Sequence, residues 1–461
     1  MPKPNFIVYL TDDQGYGDLS CMGATDFVTP HLDALAARGA RCADWYSNSP
    51  VSSPSRASLL TGRYPGHAGV RAILAGHRTA TGLPANVPAL PKALKKLGYQ
   101  TALFGKWHLG TLEACQPQSH GFDTWYGHLA GCIDYYSHIF YWGMNKPGPG
   151  INPTHDLWDN GREVFENGAY FTELIVEKAI AWIRQAARDG RPFFLYLPFN
   201  APHYPMHAPK KYVDRFAHLA PDRRIMAAMI SAVDDAVGEI NAELVRLGVR
   251  ENTCQFFMAD NGPSRETRNW LDGRSDPYYG GTAGKLKGHK FSLYEGGMRV
   301  PGIWSWPARI PGGQVLSGSA GIGAAMDVFP TLLRAAGGDP SAYELDGSDL
   351  LPMLADGQPS PHANTDLYWE MNGQTAVRRG KWKLVLHGQL VEGAPPEDSV
   401  HLSDLEADMG ERTNLKDKHP ELARELTAAA ETWRAALEAR WKRDYVPEAQ
   451  GITALDGKAK A

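Results

Sequence analysis

The sequence predicts an α/β fold: a large, mostly parallel sheet sandwiched by helices, followed by a smaller C-terminal subdomain with a small antiparallel sheet and a helix. Three observations predict it. Short, almost wholly apolar runs alternate with amphipathic stretches of helical period up to Leu350, the pattern of strands covered on both faces and joined by crossover helices. Two of those runs end in oxygen-bearing pairs, one Asp-Asp and one Asp-Asn, the chemistry expected where ligands gather at strand C-termini. Beyond Leu350 the texture changes to short, consecutive strand-like segments and one long amphipathic stretch.

Taken in order, Asn5 to Leu10 (NFIVYL) reads as a buried strand ended by Thr11-Asp12-Asp13. Thr29 to Arg38 reads as a helix, with Pro30 suited to its first turn and Gly39 to its stop. A helix over Leu90 to Leu97 is broken by Gly98, and Gln100 to Phe104 is a strand leading into Gly105-Lys106-Trp107-His108. Helices are predicted over Glu173 to Arg188 and Asp222 to Leu247, and strands over Pro192 to Leu197 and Gln255 to Met258. The Pro, Gly and Asp residues between Leu350 and about Asn364 read as a connection. Short strands follow at Asp366 to Glu370, Ala376 to Arg379 and Trp382 to His387, then a helix over Pro420 to Trp441. Two units result, residues 1–360 and 361–461, with a loosely ordered tail from Pro447.

The 461 residues can bury a sizeable core, and a net charge of -4 without long basic runs argues against nucleic acid as a partner. The five cysteines form no CxxC and no metal-finger spacing, so buried thiols are expected. No apolar stretch is long enough to span a membrane, and the opening MPKPNFIVYL lacks the form of a signal peptide. The chain as it stands is expected to be soluble and cytoplasmic, or periplasmic or secreted if a leader has been removed.

Asp12 and Asp13 follow one predicted strand, Asp260 and Asn261 another, and each pair precedes a glycine. Either pair alone would suit a helix cap or a turn. Together they offer converging oxygens for a hard divalent cation, which would relieve the repulsion among three carboxylates. Calcium fits this donor set best, with magnesium the alternative. Ser47 to Ser58 is rich in small polar residues and interrupted by Pro50 and Pro54, and Ala57 to Thr61 then turns helical. Ser52 is thereby placed at or near a helix N-terminus, where an anion is favoured. Arg56 can return to the Ser52 side and hold both the oxygen at position 52 and the metal-bound carboxylates.

Ser52-Ser53-Pro54-Ser55-Arg56 followed by Leu60-Thr61-Gly62-Arg63 resembles the signature of the sulfatases, a family with the alkaline-phosphatase-like fold. In that signature the first residue is a cysteine, or in some bacterial members a serine, oxidised to formylglycine. The resemblance runs from Asn5 through at least Pro301 and implies a hydrolase of sulfate esters whose nucleophile derives from Ser52, itself also a metal ligand. Serine stands where cysteine is commoner, so either a maturase accepts serine or the serine replaces a cysteine. Gly105-Lys106-Trp107-His108-Leu109-Gly110 is similar to the family segment whose lysine binds sulfate and whose histidine contacts the formylglycine. Asn200-Ala201-Pro202-His203 matches its active-site histidine, and Lys290, ahead of Glu295-Gly296-Gly297, its second lysine, although Gly288-His289-Lys290-Phe291 replaces a more glycine-rich stretch. The resemblance implies a hydrated aldehyde that attacks sulfur, His203 or Lys290 protonating the leaving oxygen, and His108 accepting the proton whose loss releases sulfate. Unmodified serine lacks the second hydroxyl needed for rapid turnover.

For the substrate, the aromatic and polar loops Gly131 to His138 and His155 to Val164 suit sugar recognition. Ser137, which resembles a sulfate-contacting family position, Asp134 and His138 are candidates, with Trp270, Trp369 and Glu370 at the rim. The implied partners are a sulfated sugar, probed from its end, and a formylglycine-generating maturase. Alternative readings are a phosphate or phosphonate monoesterase of the same superfamily, or a non-catalytic glycan-binding relative with unmodified Ser52.

Overall fold

The computed structural model describes residues 2–140, 153–265 and 280–445. A ten-stranded mixed sheet forms its centre. From edge to edge the strands run Gln314–Leu316, Ala40–Cys42, Gly302–Ser305, Thr253–Ala259, Asn5–Thr11, Phe193–Pro198, Gln100–Lys106, Thr124–His128, Trp158–Asp159 and Arg162–Glu163. The middle five, from Thr253–Ala259 to Thr124–His128, are mutually parallel, so their carboxyl ends lie along one edge. Antiparallel pairings extend the sheet on both flanks.

The central strands are buried at almost every position because both faces are covered. Ile7, Tyr9, Leu195, Leu197 and Phe257 pack on one side with the helices Pro30–Ala37, Phe171–Arg188 and Pro221–Arg246. Phe6, Val8, Leu10, Phe194, Tyr196, Phe256 and Met258 face the other way, under the helices Ser52–Thr61, Leu90–Lys96 and Val328–Ala335. Alternating strand residues therefore feed two cores, each large side chain contributing about 1.5–3 kcal/mol on burial. Among the described residues no helix is long and apolar enough to cross a membrane.

Most predicted boundaries fall within three residues of the structure, and two readings differ more. The helix expected from Ala57 begins at Ser52, with Pro54 inside its first turn. A first-turn N–H has no intrahelical acceptor, so proline sacrifices nothing there. The stretch after Leu350 contains a helix, Leu351–Asp356, ended by Gly357 at φ 67°. Trp270 and the tail from Pro447 lie outside the described residues.

The C-terminal sheet has four antiparallel strands, Asp366–Met371, Gln374–Arg379, Trp382–Gly388 and Asp398–Asp404, backed by the helix Pro420–Asp444. The fourth strand escaped prediction because only Val400 and Leu402 are apolar in it. Buried charges join this sheet to the main one. Lys383 Nζ lies 2.8 Å from Glu295 Oε1 and 3.1 Å from Glu411 Oε1, while Arg378 and Arg299 grip Asp44 at 2.9 and 3.1 Å. Tyr46 donates to Glu295 Oε2 at 2.6 Å. Burial opposes charge on Glu295, yet Lys383, Arg299 and Arg378 bring its carboxyl down to about 2. Burial, opposed by Lys383 and reinforced by Glu295, pushes the Glu411 carboxyl up to about 7. The turn Glu295-Gly296-Gly297 is thus anchored from the C-terminal side.

Candidate active site

Four adjacent parallel strands deliver polar residues to one edge of the sheet. Asp12 and Asp13 follow Asn5–Thr11, Asp260 and Asn261 follow Thr253–Ala259, Lys106 ends Gln100–Lys106, and His203 lies just beyond Phe193–Pro198. Burial is deep throughout: Asp12, Asp260, Asn261, Lys106 and Arg56 are 0% exposed. The close approach of two turns explains part of the local sequence. A Cβ on Gly262 would fall 1.9 Å from the Gly296 carbonyl oxygen, and Gly262 N–H donates to Gly297 O at 2.9 Å. Glycine after Asp260-Asn261 and glycines after Glu295 are therefore one requirement, backbone against backbone.

Ser52 opens its helix, and its hydroxyl points into the acids: Oγ is 3.0 Å from Asp12 Oδ1 and 3.4 Å from Asn261 Oδ1. The rest of the signature builds the support. Ser53 Oγ accepts from Leu74 N–H at 3.0 Å, Thr61 bonds back to Ala57 O at 2.7 Å, and Gly62 ends the helix at φ 69°. Arg63 Nε then donates to Glu344 O at 2.7 Å. Leu-Thr-Gly-Arg is a helix terminus and its anchor.

Arg56 lies one turn below Ser52. Its Nε and Nη2 donate to Asp260 Oδ2 at 3.1 and 2.8 Å, its Nη1 to Lys106 O at 3.3 Å, and Nη2 stands 3.7 Å from Asp12 Oδ1. The guanidinium therefore grips carboxylates from beneath. Burial raises the Asp260 carboxyl above its ordinary range, with Asp12 adding to the rise and Arg56 and Lys106 opposing it.

Lys106 Nζ sits 2.5 Å from Asp12 Oδ2, and Lys290 Nζ 2.9 Å from Asp13 Oδ2. Burial lowers the Lys106 ammonium against the pull of Asp12. Asp13 adopts φ 61°, its N–H donating to Asp260 Oδ1 at 3.1 Å, and Asn261 Nδ2 donates to Asp13 Oδ1 at 2.7 Å. His203 Nε2 lies 3.6 Å from Asp13 Oδ2, and ligand atoms of Asp12, Asp13 and His203 fall within 4.8 Å of one another. His203 Nδ1 donates to Tyr204 O at 2.6 Å, which leaves Nε2 on the acid side. This acidic pocket fits a divalent cation: carboxylate and amide oxygens dominate its donors, and no cysteine is among them.

His108, at φ 55°, places Nε2 3.2 Å from Leu74 O. A carbonyl only accepts, so Nε2 carries the hydrogen and Nδ1 the lone pair. Burial, then Lys106 and Arg56, hold this imidazole well below its ordinary value and so neutral.

The predicted substrate residues divide. The loop from Gly131 lies against the site: a Cβ on Gly131 would meet His108 Nε2 at 2.7 Å, and Tyr135 OH donates to His203 O at 2.9 Å. Asp134, however, accepts from Tyr136 and Ser137 N–H at 2.9 and 2.7 Å, closing a turn that presents half-buried Ser137. His138 is fully buried with Nε2 on Ala169 O at 3.1 Å, and Trp369 is 1% exposed with Nε1 on Ser47 O at 2.8 Å. His138 and Trp369 are therefore packing groups rather than groups that reach a ligand, and Glu370 binds Arg71. Two neighbours were not foreseen. His128 pairs with Lys106 across strands, is kept neutral by burial and then by Lys106 and Arg56, and was detectable as the polar end of a strand-like TWYGH run. Leu74, held by Ser53 and orienting His108, carries no sequence signal because only its backbone acts.

With this geometry in place, the sulfatase family model matches residues 4–338. The chain belongs to the sulfatase family. It is 34% identical over 435 residues to N-acetylgalactosamine-6-sulfatase of Rattus norvegicus, covering 91% of this chain and 78% of that one. It is 31% identical to arylsulfatase A of Bos taurus, covering 92% and 86% respectively. The solved structure of Ps i-CgsB in complex with k-i-k-neocarrahexaose superposes with a TM-score of 0.81 at 30% identity, covering 97% of this chain and 99% of that one. This sulfatase is a sulfuric-ester hydrolase with the alkaline-phosphatase-like fold, and metal and formylglycine are general features of its family.

Proposed function

We propose that this sulfatase removes sulfate from a sulfated carbohydrate, with residue 52, matured to formylglycine, as nucleophile and a calcium ion held by Asp12, Asp13, Asp260 and Asn261. The observation that carries the reading is the Ser52 hydroxyl at a helix N-terminus, 3.0 Å from Asp12, which also holds Lys106, and next to Asp13, which Lys290 and His203 face. The sugar class is supported by relatives named for N-acetylgalactosamine-6-sulfate and by a neighbour solved with neocarrahexaose.

The formylglycine hydrate would supply two hydroxyls on one carbon, and the cation would offset negative charge around them. The chain's own residues do the rest. Lys106 and Lys290, held on the consecutive acids Asp12 and Asp13, would both meet oxygens of a bound sulfate and stabilise the charge that grows on them. Arg56 acts through Asp260 and Asp12, keeping their oxygens aimed at position 52. His203, its Nδ1–H tied to Tyr204 O, would protonate the departing sugar oxygen from Nε2, a step that requires its imidazolium form, which faces Asp13. His108, neutral with a lone pair on Nδ1, accepts the proton whose loss releases sulfate. Ser137, on the turn closed by Asp134, is the candidate contact for the sulfate.

Turnover of an aryl sulfate against the matching aryl phosphate tests the reaction class, and a panel of sulfated mono- and disaccharides tests the substrate class. Preference for the phosphate, or no turnover of any sulfated sugar by protein matured at residue 52, would overturn the reading.

A further inference from the structure

Lys290 reaches Asp13 from a loop held by a residue of the C-terminal sheet. The next residue, Phe291, adopts φ 72°, a left-handed conformation that disfavours any residue with a side chain. Its ring is buried with Leu293, Trp369 and Met371, so the position carries bulk where its backbone would suit glycine. Both of its peptide groups are pinned. Phe291 N–H donates to Pro50 O at 3.1 Å, two residues before Ser52, and Phe291 O accepts from Gln374 Nε2 at 2.8 Å. The same amide's Oε1 accepts from Leu293 N–H at 3.2 Å and Gln389 N–H at 2.9 Å. Gln374 is 1% exposed, and its own carbonyl accepts from Arg434 Nη1 at 3.0 Å, fixing it to the helix Pro420–Asp444.

We propose that Gln374 is a positioning residue for Lys290: its side-chain amide locks Phe291 in the left-handed conformation that aims the ammonium at Asp13 beside Ser52. The C-terminal sheet thereby helps complete a site whose other groups come from the ends of the main sheet's strands and the helix Ser52–Thr61. This rests on the reading above that Lys290 acts on the bound sulfate.

The test is a double-mutant cycle of Gln374→Met and Lys290→Ala, read in two ways. One readout is kcat/KM for an aryl sulfate with enzyme coexpressed with a serine-accepting maturase. The other is the Kd of inorganic sulfate for protein carrying unmodified Ser52. A misplacement of the order of 1 Å at a reacting group costs roughly 100-fold in rate, so Gln374→Met should lower kcat/KM by roughly 10- to 100-fold and weaken sulfate binding. In the Lys290→Ala background it should change neither readout by more than about twofold, since a residue acting only through Lys290 is non-additive with its loss. Phe291→Gly added to Gln374→Met should restore part of kcat/KM, because glycine adopts the conformation without a clamp. Should Gln374→Met fold poorly, Gln374→Glu, which keeps the two acceptor bonds and loses the donation to Phe291, serves in the same cycle. Multiplying losses in the double variant, or a Gln374→Met enzyme with unchanged kcat/KM and Kd while Lys290→Ala is impaired, would overturn the clamp alone. An unimpaired Lys290→Ala variant would overturn both the clamp and the role given to Lys290.

Discussion

Replacing Arg56 by alanine should destabilise the protein far more than the loss of a surface arginine. The guanidinium and Asp260 are both 0% exposed, and Nε and Nη2 share Asp260 Oδ2 at 3.1 and 2.8 Å. Without Arg56, Asp260 keeps the Asp13 N–H, the Ser52 hydroxyl and the pull of Lys106 but stays beside Asp12, so a buried carboxylate loses its directly paired cation. Breaking a buried pair from one side costs about 3–5 kcal/mol, against about 0–1 kcal/mol for an exposed pair. Arg56→Lys, with one point charge in place of the fork, should lose less but still lose the two-nitrogen grip on Asp260. Urea unfolding followed by tryptophan fluorescence, in chelator so that no cation compensates, gives the difference directly. As an external control, Arg443→Ala removes an exposed arginine beside Asp444 and should stay within about 0.5 kcal/mol of wild type. A loss below about 1 kcal/mol for Arg56→Ala would refute the assignment of Arg56 as the support of the acidic pocket.

Removing divalent cations should lower both activity and the thermal midpoint, and calcium should restore them at lower concentration than magnesium; restoration by magnesium alone would exclude the calcium assignment. Lys106→Ala should reduce kcat/KM by roughly 100- to 1,000-fold, as loss of a group meeting transition-state charge does, and weaken inhibition by inorganic sulfate. The buried Glu411 carboxyl, pushed up to about 7, keeps in the folded state a proton that the unfolded state releases near 4.5. Its contribution to stability is present below pH 4.5 and lost as pH rises through about 7, so Glu411→Gln should flatten the decline measured by urea unfolding between pH 5 and pH 8. An unchanged slope would show that Glu411 is ionised throughout.

The sheet's centre was legible because residues such as those of NFIVYL must be apolar on both sides, a pattern few other environments demand. The acids, Lys106 and His203 were legible because strand ends are where a parallel sheet exposes side chains. The fourth C-terminal strand was not, since its outward residues are polar and only two positions carry apolar side chains. The start of the Ser52 helix was misplaced because a proline reads as a breaker unless it falls in the first turn, and the boundary that decides this is itself tertiary. Trp369 read as a rim aromatic, but strand alternation turns it inward onto Tyr46, at 5.3 Å between rings. Gln374 carried no signal, because its importance lies in three backbone groups distant in sequence.

The most direct measurement is on the tryptic peptide Cys42 to Arg56, which contains Ser52, from protein coexpressed with a serine-accepting maturase and assayed in parallel on an aryl sulfate. The account predicts a two-hydrogen loss confined to Ser52, with turnover rising in proportion to the modified fraction. Rapid turnover by fully unmodified protein, or fully modified protein that hydrolyses no sulfate ester in the presence of calcium, would contradict it.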